Sequence, residues 1–135
     1  MNLQPKIVSI AGQKEFLATT QGLVHKVGGV TLDASKFTPD ENGFIKAGSA
    51  LALTASGKAE PFNVSTPGDP STANGTPYIL AHDVQIKDGT TNIDAVAGVL
   101  EAAYLKSSVV TTAEPGRVVV TQDFIDASNG RFHLR

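Results

Sequence analysis

His82 and Asp83 are adjacent in the stretch PYILAHDVQI, residues 77–86. A histidine beside an aspartate is the pair of side chains from which a general base and its orienting carboxylate are built. The surrounding residues alternate as in a β-strand, where adjacent side chains point to opposite faces and cannot share a hydrogen bond. A catalytic role for His82 therefore needs a turn at this point. Without a turn, we expect a partly buried or a surface histidine.

The remaining residues do not complete a catalytic or metal site. His25 and His133 lie in separate strand-like stretches, and no two histidines have the spacing of a zinc site. The chain has no cysteine, which excludes disulfides, thiolate ligands and a cysteine nucleophile. It also lacks a G-x-S-x-G nucleophile elbow and the glycine motifs that bind phosphate or dinucleotides. We therefore expect no catalytic residue, no metal ligand and no cofactor, and hence no enzyme.

Charge and hydropathy exclude further classes of function. Eleven Lys and Arg nearly balance thirteen Asp and Glu, and no basic block is present, so nucleic acid is not an expected partner. No apolar run approaches the roughly 20 residues of a membrane span, and the N-terminus lacks the pattern of a signal peptide. These features predict a soluble protein that is made in a cytoplasm and does not bind membranes.

Turn signals recur at short intervals along the 135 residues, which is a length typical of one domain. They include Gly28-Gly29, which predicts a hairpin turn into a strand at VTL, the cluster TPDENG at 38–43, a glycine turn in KAGSAL, and Ser56-Gly57 within a predicted hairpin. The proline-rich segment 63–77 predicts the longest exposed loop. Many short strands with frequent turns are typical of a mainly β fold, a small barrel or sandwich.

The C-terminal half holds one ambiguous segment. Residues 93–105 have apolar side chains at helical spacing and good helix formers, although they also alternate, and local signals alone slightly favour a helix. A strand is predicted for GRVVVTQ, residues 116–122. A short helix follows, with Thr121 as its N-cap and Gly130 at its left-handed end. RFHLR, residues 131–135, predicts a final strand.

Taken together, several stretches resemble the lambda-type head decoration proteins of tailed bacteriophages. They are VTLDASKFTPDENGFIKAGSALAL, then PYILAHDVQIKDGTTNIDAVAGVLEAAYL, and finally FIDASNGRFHLR. The resemblance covers about residues 22–135 and lies in the order and character of the segments. The long insertion at 63–77 has no counterpart that we can place in such proteins.

The resemblance implies a fold and a role. It implies that 93–105 forms a strand next to the His-Asp strand, because tertiary context can override local preference. It also implies a homotrimer on the outer surface of the expanded capsid, at three-fold or quasi-three-fold positions. There the trimer would contact the major capsid protein and stabilise the shell of the virion. The host bacterial cytoplasm would be the place of synthesis.

Residues 1–20 are interpreted as an N-terminal arm, and 21–135 as one β-rich domain. An arm that adds a strand to the sheet edge of a capsid protein would gain main-chain hydrogen bonds without a deep pocket. Its apolar anchors, and so the candidate capsid-contact residues, are Ile7, Val8, Ile10, Phe16 and Leu17. The alternative is an ordinary first strand of the barrel. An alternative function is another phage structural module, such as the base of a head fibre or a tail component.

Overall fold

The computed structural model describes residues 15–135 and is mainly β, as predicted. Twelve strands and two short α-helices follow one another along these residues. The strands are β1 (Leu17–His25), β2 (Val30–Leu32), β3 (Phe44–Ile45), β4 (Ala50–Leu53), β5 (Lys58–Pro61), β6 (Thr76–Leu80), β7 (Val84–Gln85), β8 (Lys87–Asp88), β9 (Thr91–Asn92), β10 (Ala95–Ala97), β11 (Val99–Leu105) and β12 (Phe132–Leu134). The helices are α1 (Ser107–Val110) and α2 (Gln122–Ala127).

Eight of the strands form one sheet that curls into a half barrel. Its order is β1-β11-β6-β4-β5-β2-β10, and β12 pairs with β11 outside this path. The pairs are antiparallel except β2 with β5 and β11 with β12. Two small ribbons, β3 with β7 and β8 with β9, lie outside this sheet.

The ambiguous segment 93–105 forms strands, as the resemblance implied. β11 is the longest strand of the C-terminal half and pairs with β1, β6 and β12. Its buried side chains include Val99, Leu100 and Leu105, which are at most 1% exposed. Pairing on both sides and burial favour the strand by more than the few tenths of a kcal/mol per residue that separate helix propensities.

The core has two clusters of buried side chains. One lies under α2 and β12 and includes Phe124, Phe132 and Ile79, with the ring of Phe62 set edge-on to that of Phe124. The other lies within the curl of the sheet and includes Leu32, Ile45 and Leu51. Each such side chain contributes about 1.5–3 kcal/mol when it is fully buried. Side chains from the short strands and from α2 thus form the core of the domain.

Three local predictions were wrong. The predicted strand at 77–86 is interrupted, because β6 ends at Leu80 and β7 begins at Val84. Residues 116–122 form no strand before α2, although the Val118 carbonyl accepts from the Ala50 amide. A turn does occur at Gly28-Gly29, but β1 and β2 do not pair across it. In each case, contacts with segments far away in the sequence decide which residues pair as strands. Local alternation does not reveal those contacts.

Other local predictions were confirmed. β4 and β5 pair as a hairpin with Gly57 at its bend, where φ is +86°. Thr121 caps α2 by accepting a hydrogen bond from the Phe124 amide. The final strand forms as β12. Beyond the one late helix that was predicted, the structure adds the single turn of α1.

The loop at 63–77 is largely exposed, as predicted, but it has internal structure. It contains a 3-10 turn at Pro70–Thr72 and a bridge between Val64 and Ala73. The Gly68 amide donates to Asp123 Oδ2 over 3.2 Å, which fastens the loop to the first turn of α2. β6 starts inside the predicted loop, at Thr76.

Candidate interaction surface

The His82-Asp83 pair lies at the bend between β6 and β7, so the turn that a catalytic dyad would need is present. Asp83 uses its carboxylate elsewhere, since Oδ1 accepts from the Ala47 amide over 2.7 Å. That bond holds the glycine turn before β4, where Gly48 has a φ of +84°. His82 is exposed. The aspartate thus has a structural task in fixing a turn.

Two histidines that are far apart in the sequence meet at one groove. His25 ends β1 and His82 follows β6, and both strands pair with β11. Their side chains line a groove of about 220 Å³. The other lining residues among those described are Glu15, Phe16, Leu17, Leu23, Ala81 and Leu100. Sequence reasoning had placed these two histidines in separate stretches, because the neighbourhood of β1 and β6 depends on the sheet order.

The described lining of this groove is partly polar and partly apolar. Its described lining holds two imidazoles and one carboxylate but no hydroxyl or thiol nucleophile. Within residues 15–135, no three His, Asp or Glu side chains gather as a metal site would require. His133 lies away from the groove and stacks on Tyr104, with 5.2 Å between the ring centroids.

The predicted arm anchors divide into two groups. Ile7, Val8 and Ile10 lie outside the described residues. Phe16 is only 3% exposed and belongs to the core, while Leu17 is partly buried against the same cluster at the start of β1. The Phe16 carbonyl also accepts from the Lys106 amide over 2.7 Å. These two side chains pack within the domain, and capsid contact by the first three stays a prediction.

Large apolar side chains are exposed at four described positions. Val27 is 92% exposed, Val96 is 73% exposed, and Val24 and Ile93 are each 45% exposed. Val96 is the central residue of β10, and Ile93 precedes that strand. The segment around Val27 lies against the junction of β10 and β11, because the Lys26 amide donates to the Val99 carbonyl over 2.9 Å. We call Val27, Ile93, Val96 and the strand β10 the β10 edge.

Gly29 allows the turn after β1 to lie close to the backbone at the end of β10. A Cβ on Gly29 would lie 2.4 Å from the Ala97 carbonyl oxygen, which no side chain could accommodate without moving the backbone. Gly29 also has a positive φ of +63°. In the sequence, this feature is marked by Val27 followed directly by the glycine pair Gly28-Gly29. That pair by itself predicts only a turn.

A charged pair stands at the start of β10. Asp94 Oδ2 is 2.6 Å from Lys58 Nζ, and Asp94 Oδ1 accepts from the Ala34 amide over 2.9 Å. The hydrogen bond with Lys58, followed by that from the Ala34 amide, lowers the pKa of Asp94. The same contact with Asp94 raises the pKa of Lys58. The pair links the starts of β5 and β10 with the turn after β2.

Comparison with known proteins gives no relative. No family model matches the chain, and no match was found among the curated proteins or the solved structures. Across residues 15–135, none of the helices is long and apolar enough to cross a membrane.

Proposed function

We propose that the protein is a capsid decoration protein of a tailed bacteriophage. In this role it binds the outside of the expanded capsid at three-fold or quasi-three-fold positions, as a homotrimer, and stabilises the shell against internal DNA pressure. Its partners are the major capsid protein and other copies of itself. Its place is the virion surface.

One observation of the structure carries this proposal. Asp83 of the His-Asp pair holds the backbone at the Ala47 amide, while Val27 and Val96, the two most exposed large apolar side chains among the described residues, lie at the β10 edge. A protein that acts by contact needs a rigid body and exposed apolar surface, and it needs no reactive group. The structural role of Asp83 and the exposed apolar side chains of the β10 edge agree with that requirement.

The physical demands on such a clamp are modest. A shell under internal pressure opens where capsomers separate, and a body that bridges several subunits adds many weak contacts at once. Association of three copies raises the effective concentration of each contact, so that avidity exceeds the affinity of a single site. Residues 1–14 precede the body at Phe16, and strand addition by this segment would supply main-chain hydrogen bonds to the capsid protein.

The test is binding to heads in two states. Purified protein is mixed with expanded heads and with unexpanded heads of the phage that encodes it, and bound protein is measured after sedimentation of the heads. We expect saturable binding to expanded heads and little to unexpanded ones. Equal binding to both states, or to neither, contradicts the proposal. Recovery with isolated tails instead would support the alternative of a tail component.

A further inference from the structure

Three asparagines of this chain are each followed directly by glycine: Asn42, Asn74 and Asn129. In such a pair, the backbone nitrogen of the glycine can attack the side-chain amide carbon of the asparagine, because glycine has no side chain to hinder the approach. All three asparagines are exposed, so access to water does not distinguish them. The pairs differ in the hydrogen bonds that hold the reacting groups.

At Asn74 the side-chain amide is held at both of its polar atoms. Oδ1 accepts from the Asn63 amide over 3.0 Å, and Nδ2 donates to the Pro61 carbonyl over 3.1 Å. Both hydrogen bonds have to break before the side-chain amide can rotate. A Cβ on Gly75 would collide with the Leu53 carbonyl oxygen, so the backbone is crowded as well. This pair is therefore protected at the group that would be attacked.

At Asn42 the attacking nitrogen is held instead. The Gly43 amide donates to the Asp40 carbonyl over 3.0 Å. Gly43 is buried, and a Cβ at its position would collide with the Lys87 carbonyl oxygen. The nitrogen has to leave this hydrogen bond and lose its proton before it can attack. This pair is therefore protected at the attacking group.

Asn129 has neither form of protection. Among residues 15–135, the structure gives no hydrogen-bond partner to its side-chain amide or to the Gly130 amide. The space around Gly130 is open, since nothing lies within 4 Å of a Cβ built there. Both residues lie in the exposed turn between α2 and β12. The attacking nitrogen and the attacked carbon are thus both available.

We propose that Asn129-Gly130 is a site of spontaneous deamidation. The Gly130 nitrogen gives its proton to hydroxide and forms a bond to Asn129 Cγ, while the bond from Cγ to Nδ2 breaks and ammonia leaves. Water then opens the resulting succinimide ring at one of its two carbonyls, which gives aspartate or isoaspartate. Either product carries one additional negative charge. This modification goes beyond the proposed function, which involves no reaction of the chain.

The modified turn is one that positions Arg131. Nε of Arg131 donates to the Ser128 carbonyl over 3.1 Å, and Nη1 donates to the Glu101 carbonyl over 3.1 Å. Isoaspartate in place of Asn129 lengthens the backbone of the turn by one CH₂ group. The reaction therefore changes the connection through which Arg131 links the end of α2 to β11.

The test compares the three pairs within one molecule. The native protein is incubated at mildly alkaline pH, and conversion of amide to acid is measured by mass spectrometry of the peptides that contain each asparagine. We expect Asn129 to react at least about tenfold faster than Asn42 or Asn74, a factor that one hydrogen bond can supply. In concentrated urea these hydrogen bonds are lost, and we expect the three rates to become similar. Equal rates in the native protein, or the same order of rates in urea, overturn the proposal.

A variant identifies the reacting residue. Asn129→Gly removes the side-chain amide and suits the turn, because Asn129 has a positive φ of +54°, which glycine adopts readily. Asn42→Ser is the matched control at another exposed Asn-Gly pair. Ion exchange separates the acidic form that appears first, and we expect it to be absent in Asn129→Gly and unchanged in Asn42→Ser. Thermal unfolding checks that both variants fold. An acidic form that appears at the native rate in Asn129→Gly overturns the assignment. No heads are present, so the result is independent of capsid binding.

Discussion

Arg117 shows how a charged side chain serves the architecture of this protein. Its side chain is 2% exposed, and Nη1 donates to the Ala47 carbonyl over 2.9 Å. Nη2 is 3.9 Å from Glu114 Oε2, and burial lowers the pKa of Arg117 while Glu114 and Asp83 oppose that change. Arg117 and Asp83 thus bind the carbonyl and the amide of the same residue, Ala47.

Arg117→Met tests this role. Methionine keeps much of the apolar stem but removes the donor to the buried Ala47 carbonyl, and an unsatisfied buried group costs about 1–3 kcal/mol. We expect a loss of that size in the free energy of unfolding, measured by urea denaturation. Lys36→Met removes an exposed cation and should change stability by no more than about 0.5 kcal/mol. Similar losses in both variants would disprove the role of the Ala47 contact.

Asp94 makes the stability of the protein depend on pH. Its pKa is lower in the folded protein than in the unfolded chain, so its carboxylate stabilises the fold at pH values above the unfolded pKa of about 4. That stabilisation is lost as pH falls through the lower, folded pKa. We expect Asp94→Asn to lower the melting temperature at pH 7, and the difference from the native protein to shrink at pH 3.

Glu41→Gln provides the control, because Glu41 is an exposed carboxylate in a turn distant in sequence from the edge. Melting temperatures of the native protein and both variants are compared between pH 3 and pH 7. A difference for Asp94→Asn that is the same at all pH values would show that its effect is not electrostatic.

At the scale of elements, the stability of α2 depends on the hydrogen bonds of its first turn. The helix has only six residues, and Thr121 Oγ1 accepts from the Phe124 amide over 3.3 Å. The same turn carries Asp123, which receives the hydrogen bond from Gly68 in the long loop. Loss of the cap would therefore loosen both the helix and the attachment of the loop.

Thr121→Ala should lower the free energy of unfolding by about 1 kcal/mol, since alanine cannot accept from the free amide. Thr121→Ser keeps the hydroxyl and should retain most of the stability. Urea denaturation gives both values. If the serine variant loses as much as the alanine variant, the methyl group of Thr121 and not its hydroxyl supports the helix.

At the scale of the whole molecule, the proposed role involves two parts of the chain. One is the folded body, and the other is the leading segment, residues 1–15, which precedes it. The body begins at Phe16, which is buried in the core, so a chain that lacks residues 1–15 keeps that side chain. If strand addition by the leading segment attaches the body to the capsid, deletion of residues 1–15 should weaken binding to expanded heads at least tenfold. The thermal unfolding of the body should change little.

Binding to expanded heads is measured by sedimentation over a range of protein concentrations. Replacement of Ile7, Val8 and Ile10 by serine in the full-length chain gives a second variant that keeps the length of the segment. Unchanged affinity in both variants would show that the body alone makes the contact.

The local signals in the sequence determined much of this protein. Glycine at the bend after Ser56, the Thr121 cap and the alternation of RFHLR each depend on neighbours within a few residues, and each formed as predicted. The mainly β class follows from the same short-range turn chemistry and alternation. These features are set by backbone sterics and by local hydrogen bonds, which a sequence displays directly.

Only the tertiary structure decided which strands are neighbours, and that governs the functional surfaces. His25 and His82 share a groove because β1 and β6 both pair with β11, and Val96 is exposed because its side chain lies on the face of β10 opposite to that of the buried Ala97. The same long-range pairing made a strand of 99–105 against its local preference and left 116–120 without a ladder. Contacts between residues far apart in the chain outweigh local propensities of a few tenths of a kcal/mol, and no short window of sequence contains them.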